Sequence, residues 1–241
     1  MKRVILVLLP VILFPAMLRA QSGTALFLVL PVDARVAGSG GGGIALPADA
    51  FSIFRAPAAL SLDASRDGAG ITRAACLPAL LPGGYLDAAA VAFRVSGRGG
   101  VAAGFRHRSY PRAEGRDGDA MPTGTMHPAE WAAEVAYAHR LPAGLGVSVT
   151  TRYARLYAAR SRDVFSFDAG MCYREPFFSM PGGSWAIAFH AGNLAGRVSR
   201  DVFLPARATL GGAIALPAAG GTLSGCVDLA YTFFPARDAH L

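Results

Sequence analysis

Gly38, Gly40 and Gly43 have the Gly-x-Gly-x-x-Gly spacing of a dinucleotide-binding loop. In such a loop a buried strand precedes the glycines, and the N-terminus of the helix that follows holds the pyrophosphate. Here Pro47 stands just past the glycines, and no strand–helix–strand pattern continues from it. The glycines therefore indicate a tightly packed or flexible backbone turn, and no cofactor is expected.

The residues that could bind a metal ion are scattered along the chain. No two histidines lie three or four residues apart, as two ligands on one helix face would. Asp117 and Asp119 alternate as in a calcium loop, but the remaining ligand positions of that loop are missing. We therefore expect no metal site at these aspartates or at the histidines His107, His127, His139, His190 and His240.

Two further classes of function find no support in the sequence. No Gly-x-Ser-x-Gly elbow is present, so we expect no hydrolase of that type and no enzyme of another kind. The formal net charge is +7, but Lys2 is the only lysine and the arginines are dispersed. A nucleic-acid surface needs a clustered basic patch, so no nucleic-acid partner is expected.

The segment from Trp131 to Tyr157 shows what must position the remaining polar residues. Residues of its two arms alternate between large or amphipathic and small or charged, and Pro142-Ala143-Gly144 reverses the chain between them. A period of two is the side-chain period of a β-strand, so this segment is a predicted hairpin.

Similar runs recur from about residue 70 onwards, separated by Gly- and Pro-rich turns. They predict about nine strands: Gly70–Cys76, Leu86–Ser96, Gly100–Ser109, Glu130–Leu141, Leu145–Tyr157, Val164–Arg174, Ser184–Gly192, Ala206–Leu216 and Thr222–Phe233. Two long segments, 110–128 and 191–205, are predicted loops. No sustained helical pattern occurs, which disfavours α/β folds.

The two faces of these strands differ in chemistry. One face carries apolar and aromatic stripes such as Phe165, Phe167 and Tyr173, and the other carries small and polar residues. Asp168, Arg152 and Arg174 fall on the second face, where we interpret them as a charge network inside a barrel. Cys172 and Cys226 also fall there; an odd total of three cysteines, with Cys76, argues against a complete disulfide framework, and their pairing stays open.

An apolar outer face and a polar interior are typical of a transmembrane β-barrel. Hydrophobic residues make up 53% of the chain and charged residues only 16%, which is apolar for a secreted soluble protein. On this interpretation Val149→Arg should be costly because Val149 faces lipid. Ser148→Arg, on the inner face, should cost much less.

The N-terminus predicts export from the cytoplasm. Lys2 and Arg3 precede an apolar run that is too short to span a bilayer, and Ala20 offers a small residue for cleavage. Residues 1–20 are therefore a predicted signal peptide, whose removal after about Ala20 leaves a charge of about +4. An uncleaved anchor is the alternative. Residues 21–62 lack long alternating runs and predict a compact segment with a short helical turn near Ala48–Phe54.

Two stretches of this N-terminal segment resemble the PorV/PorQ family of outer-membrane proteins. Residues 27–41, FLVLPVDARVAGSGG, resemble the family segment FL…DAR..GMGGA, and residues 45–60, ALPADAFSIFRAPAAL, resemble AT..DA.S.YWNPA.LA. Pieces of later strands, such as Phe203–Arg207 and Val227–Leu229, also fit. The matching motif positions are Asp33, Arg35, Gly38, Gly40, Gly41, Asp49 and Pro57.

The resemblance implies a FadL-like antiparallel β-barrel in the outer membrane of a Gram-negative bacterium, with the N-terminal segment folded into the lumen as a plug. It implies a non-catalytic role in type IX secretion, in which the protein binds or shuttles the C-terminal domains of secreted cargo and meets other secretion-system proteins. The motif residues would pack the plug or control its gating. Surrounding lipid is the other expected partner.

Two departures from the family pattern leave questions open. Phe54-Arg55-Ala56-Pro57 replaces Tyr-Trp-Asn-Pro, and Ser39 replaces a methionine, so the packing of the plug should differ. Residues 63–241 supply about nine strands to the barrel. Because an open sheet edge in lipid is not tolerated, the chain is either a shortened member or a smaller barrel of about eight to ten strands. A channel for hydrophobic small molecules and a soluble β-sandwich adhesin are the competing functional hypotheses.

Overall fold

A single antiparallel β-sheet dominates the protein. The computed structural model describes residues 25–63, 67–75, 83–116, 118–119, 121–157, 161–177, 181–199, 202–218 and 220–233. The predicted signal peptide, Cys76, Asp117 and His240 lie outside the described residues. The all-β barrel fold class is confirmed.

Nine strands form the sheet, in sequence order apart from an inserted hairpin. All nine predicted strands are present, with ends that differ by up to three residues. The sheet strands are β1 (Gly68–Ala75), β2 (Tyr85–Arg94), β3 (Gly99–Ser109), β6 (Ala129–Arg140), β7 (Leu145–Tyr157), β8 (Ser161–Pro176), β9 (Ser184–Leu194), β10 (Ala206–Ala218) and β11 (Gly221–Phe233).

The predicted loop 110–128 contains two strands that the sequence analysis missed. β4 (Ala113–Arg116) and β5 (Pro122–Met126) pair with each other and form a separate two-stranded hairpin. Every residue of β5 is exposed, so neither face of this strand is a buried face that would require apolar side chains. The sequence therefore shows no alternation between polar and apolar residues from which a strand could be predicted. We call the end of the sheet that carries this hairpin the loop end, and the end that carries Pro142–Gly144 the turn end.

β1 and β11 are the outer strands of the sheet, and among the described residues no pair joins them. In the described part the sheet is therefore a half-barrel, and closure into a small barrel is not observed there. Nine alternating strands leave the first and the ninth running in the same direction. Antiparallel closure would therefore need an odd number of further strands.

The N-terminal residues 25–63, which we call the plug, lie on the concave inner face of the sheet. They form one short α-helix, α1 (Ala34–Gly38), and 3-10 turns at Leu26–Leu28, Ala50–Phe54 and Pro57–Ser61. The second of these turns agrees with the helical turn predicted near Ala48–Phe54. Phe27, Ile53 and Ala58 of the plug are completely buried against the sheet. The hydrophobic core is thus the plug–sheet interface, because the plug covers the face on which the strands carry alanine and glycine.

No helix among the described residues has the length and apolar character needed to cross a membrane.

Candidate functional site: the outer belt and the plug seat

The outer face of the sheet is an apolar belt, as the alternation predicted. Many large apolar side chains on this face are exposed, from Phe189 at 38% to Ile71 at 88%, whereas on the inner strands most of their neighbours in sequence are buried beneath the plug. In the hairpin β6–β7, Val135, Tyr137 and Val149 are exposed while Ala136, Ser148 and Thr150 are buried. A contiguous apolar surface of this extent is characteristic of contact with lipid or another protein.

The height of the belt fits an outer membrane. Phe165 and Tyr173 lie at its two ends on β8, eight residues apart, which is about 27 Å along a strand. At a strand tilt of about 40° this becomes about 21 Å, close to the apolar band of about 25 Å in outer-membrane barrels.

Aromatic rings lie at both ends of the belt. At the loop end the ring of Trp131 lies 5.4 Å from Tyr153 and 5.9 Å from Phe105, and Tyr153 lies 4.9 Å from Phe165. At the turn end Trp185 lies 5.6 Å from Tyr173. Such girdles sit at the level of lipid headgroups.

A polar row borders the loop end of the belt. Arg73, Asp87, His107, Trp131, Arg155 and Asp163 are register partners across six strands. Arg73 pairs with Asp87 at 2.5 Å, and Arg155 pairs with Asp163 at 3.6 Å. The row marks the level at which the outer face changes from apolar to charged.

Inward-facing glycines create the space that the plug occupies, which we call the plug seat. A Cβ at Gly146 would lie 2.5 Å from the carbonyl oxygen of Ala58, and one at Gly104 would lie 2.7 Å from the ring of Phe54. A Cβ at Gly70 would lie 2.5 Å from the ring of Phe51. Real Cβ atoms do not approach other atoms so closely, so these strands accept the plug only because they carry glycine there.

Charged side chains of the sheet fasten the plug backbone. Asp228 on β11 accepts hydrogen bonds from the N–H groups of Gly43 and Ile44 at 2.6 and 3.1 Å. Gly211, opposite Asp228 on β10, leaves room for both the carboxylate and Ile44. Arg106 donates to the carbonyl oxygen of Leu28 at 2.9 Å.

The glycine motif is a backbone turn, as expected. Gly40, Gly41 and Gly43 have φ values of 72°, 83° and 113°, which side-chain-bearing residues rarely adopt. The turn presents its N–H groups to Asp228 and has no following nucleotide-binding helix. Gly38 ends α1 with nothing around it, so its absence of a side chain has no steric explanation.

The plug also contains a compact ion-pair cluster. Arg55, where the family motif has tryptophan, donates to both carboxylate oxygens of Asp49 at 2.9 Å and lies 3.7 Å from Asp33. Arg35 adds a contact to Asp49 at 3.1 Å. Burial opposes ionisation of Asp49, but the guanidinium groups of Arg55 and Arg35 outweigh it and hold its pKa below the usual value.

Motif residues organise the turns around this cluster. Asp33 caps α1 by accepting a hydrogen bond from the N–H of Val36 at 2.9 Å, and Asp49 forms a capping box with Ser52. Pro57 occupies the first turn of the 3-10 segment Pro57–Ser61, where a missing N–H has no cost.

Beneath the plug, buried charges form a network around Arg152. Its guanidinium contacts Glu134 at 2.9 Å, together with Asp168 and Asn193. Glu134 also pairs with Arg106 at 2.5 Å, and these side chains are at most 3% exposed. The network neutralises two guanidinium groups with two carboxylates away from bulk water, which is the condition for burying charge.

Arg174 lies apart from this network. It contacts Asp63 at the end of the plug, six residues along β8 from Asp168. Cys172 and Cys226 are both free thiols, so the disulfide that the sequence left open is not formed between them. Within the described ranges no group of histidine, cysteine and acidic residues could hold a metal ion.

Sequence reasoning missed Arg106, Glu134, Asp63 and Asn193 as parts of the interior. Arg106 and Glu134 occupy inward positions of alternating strands, so their charge on a small-residue face was a usable signal. Asp63 and Asn193 lie in a loop and at a strand end, where alternation carries no information.

The family model for type IX secretion system protein PorV matches residues 16–213. This chain belongs to the PorV family. No curated protein matches it. Family membership and the β-barrel fold together identify a type IX secretion-related protein of the outer membrane. The described part of this PorV-family protein is an antiparallel sheet with an apolar outer face and an N-terminal plug seated on its inner face.

Proposed function

We propose that this PorV-family protein is a non-catalytic component of the type IX secretion system that binds or shuttles the C-terminal domains of secreted cargo. The observation that carries the proposal is the PorV match over residues 16–213, joined to an outer face whose apolar belt suits the outer membrane. The buried charges serve the plug seat, since each contacts another interior group or the plug backbone.

The plug fills the concave side of the sheet, which supports binding of cargo by this protein rather than passage of a substrate through its interior. Phe27, Ile53 and Ala58 of the plug are core residues, and carboxylates and guanidinium groups fasten its backbone. Polypeptide contact would therefore use surfaces outside the plug seat. The exposed hairpin β4–β5 at the loop end is such a surface.

The competing proposal is a FadL-like channel for hydrophobic small molecules. In such a channel the plug would have to leave its seat, where it packs closely against glycines of the sheet. Its departure would expose the Arg152 network to the passing ligand. The plug contacts therefore favour the secretion role.

Deletion of the gene in its own bacterium tests the proposal. We expect cargo that carries the secretion-signal C-terminal domain to disappear from the medium and accumulate in the periplasm, with recovery on complementation. Secretion of an unrelated outer-membrane-passing protein serves as the control. Unchanged cargo secretion combined with lost uptake of an apolar compound would contradict the secretion role and support the channel.

A further inference from the structure

A second polar feature of the interior adjoins the Arg152 network. A cavity of about 80 Å³ lies between the plug and the inner faces of β7–β11, and Arg152 and Asp168 line its end next to the network. Its sheet wall carries Arg207, His190 and Thr209. Its plug wall carries apolar side chains that include Val32 and Phe51, beside the ion-paired Asp33 and Arg55.

Arg207 differs from three other inward arginines around the plug. Arg106, Arg152 and Arg174 each pair with a carboxylate, whereas Arg207 has no ion pair with any described residue. Its Nη1 lies 3.4 Å from the carbonyl oxygen of Val29, and its buried Nε has no hydrogen-bond partner in the described part of the protein. Burial makes the charged guanidinium costly, and Asp228, which also borders the cavity, interacts with Arg207 without forming an ion pair with it. A negatively charged ligand in hydrogen-bonding contact would therefore stabilise Arg207 further.

His190 stands beside Arg207 on the same wall. It is 8% exposed, and its Nε2 has no hydrogen-bond partner in the same described region, since Asp168 lies 3.8 Å away. Thr209 is the register partner of His190, and Arg207 is the register partner of Gly192, so the three side chains line one inner surface. Arg207 and His190 thus each bring an unpartnered nitrogen to the wall of the same cavity.

The charged and apolar groups around the cavity favour a carboxylate as the ligand. The planar edge of a guanidinium matches the two oxygens of a carboxylate. Asp228 and Asp168 also border the cavity, and their charges disfavour a dianion such as sulfate or phosphate. The apolar part of the plug wall, around Val32 and Phe51, suits a short hydrocarbon chain, and the small volume excludes a long one.

We propose that this cavity binds a short-chain aliphatic monocarboxylate, with Arg207 holding the carboxylate and the plug holding the alkyl chain. The ligand would bridge the plug and β10, so that its binding favours the seated plug. This site is separate from the secretion role proposed above and does not depend on it.

Thermal unfolding of the full chain folded in detergent tests the site. Acetate and butyrate should raise Tm in a saturable manner at constant ionic strength, and chloride and sulfate should not. Arg207→Gln should weaken butyrate binding at least tenfold, while Arg98→Gln, at an exposed turn, should leave it unchanged. Direct binding of ¹³C-labelled acetate, followed by NMR, measures the same affinity without reference to stability.

If Arg207→Gln does not fold, Thr209→Val provides the second variant and should weaken acetate binding without removing it. Equal stabilisation by chloride, sulfate and butyrate would overturn the proposal, because the effect would then be one of bulk salt. Undiminished butyrate affinity in Arg207→Gln would overturn it as well.

Discussion

At the scale of single residues, Arg152 is the centre of the interior charges. It contacts both Glu134 and Asp168, and its side chain is only 3% exposed. Arg152→Met should lower the free energy of unfolding by about 3–5 kcal/mol, because it leaves buried carboxylates without their partner. Urea unfolding in lipid vesicles measures the change.

Arg73→Met is the matched control, since Arg73 pairs with Asp87 on the exposed outer rim. We expect little change in stability from it. If the two variants lost equal stability, the interior network would have no special role in holding the fold.

Adding a single Cβ atom at Gly146 tests how closely the plug fits its seat on the sheet. A Cβ there would lie 2.5 Å from both the Ala58 carbonyl oxygen and the Ser61 hydroxyl, and the first of these is backbone. Gly146→Ala should therefore destabilise the protein by about 1–3 kcal/mol, as overpacked sites do. Gly212→Ala is the control, because its Cβ would meet only one atom, at 3.9 Å. A neutral Gly146→Ala, measured by unfolding in urea, would contradict the close fit of the plug.

At the scale of elements, the plug should respond to acid through Asp49. Its folded-state pKa is lowered from 3.8 because Arg55 and Arg35 outweigh the effect of burial. A lowered carboxyl pKa contributes stability that is fully present above pH 3.8 and is lost as the pH falls through the lower folded value. Protection of the Ala50–Phe54 turn against hydrogen exchange, corrected for the intrinsic exchange rate at each pH, should accordingly fall as the pH drops below 3.8.

Asp49→Asn separates this effect from general acid unfolding. The variant should show faster exchange in the same turn already at neutral pH and a shallower further rise in acid. Identical pH profiles for the two proteins would show that the Asp49 ion pairs do not hold the plug.

The strands of the outer belt make a second prediction at this scale. Val149 is 61% exposed on β7, and its register partner Ala169 lies midway between the belt ends on β8. Val149→Arg should cost about 2–4 kcal/mol on refolding into lipid, because a charge at mid-belt is poorly solvated. Ser224→Arg, which points into an open inner groove, should cost much less. Equal costs would contradict the assignment of the faces.

The structure changes one expectation about these faces. Ser148 was expected to tolerate arginine because it faces inward, but it is 6% exposed beneath the plug. Ser148→Arg should therefore be as damaging as Val149→Arg, for steric and desolvation reasons.

Strand periodicity was readable from sequence because each strand alternates locally, as Val135, Ala136 and Tyr137 illustrate. The plug seat was not readable in this way. Its contacts join residues far apart in the chain, such as Gly43 with Asp228, and no local pattern encodes which glycine meets which plug residue. The alternation indicated that the inner face carries small and polar residues. Such a face is compatible both with a water-filled lumen and with a packed plug, so the pattern alone could not distinguish them.

At the scale of the whole molecule, an apolar outer face and a plug-covered inner face account for the composition of the described strands. The apolar residues of the described strands and plug divide mainly between the belt and the plug–sheet core. The edge strands also carry exposed apolar side chains on the outer face, Ile71 on β1 and Val227, Leu229 and Tyr231 on β11, so the belt continues to both edges of the described sheet.

The position of this outer face in a bilayer can be tested directly with the two tryptophans. Trp131 and Trp185 are the only tryptophans, and they lie at opposite ends of the belt. In vesicles, lipids brominated near the headgroup should quench both residues more strongly than lipids brominated near the chain end, and aqueous iodide should quench them weakly. Strong quenching by iodide with none by brominated lipid would contradict the membrane assignment.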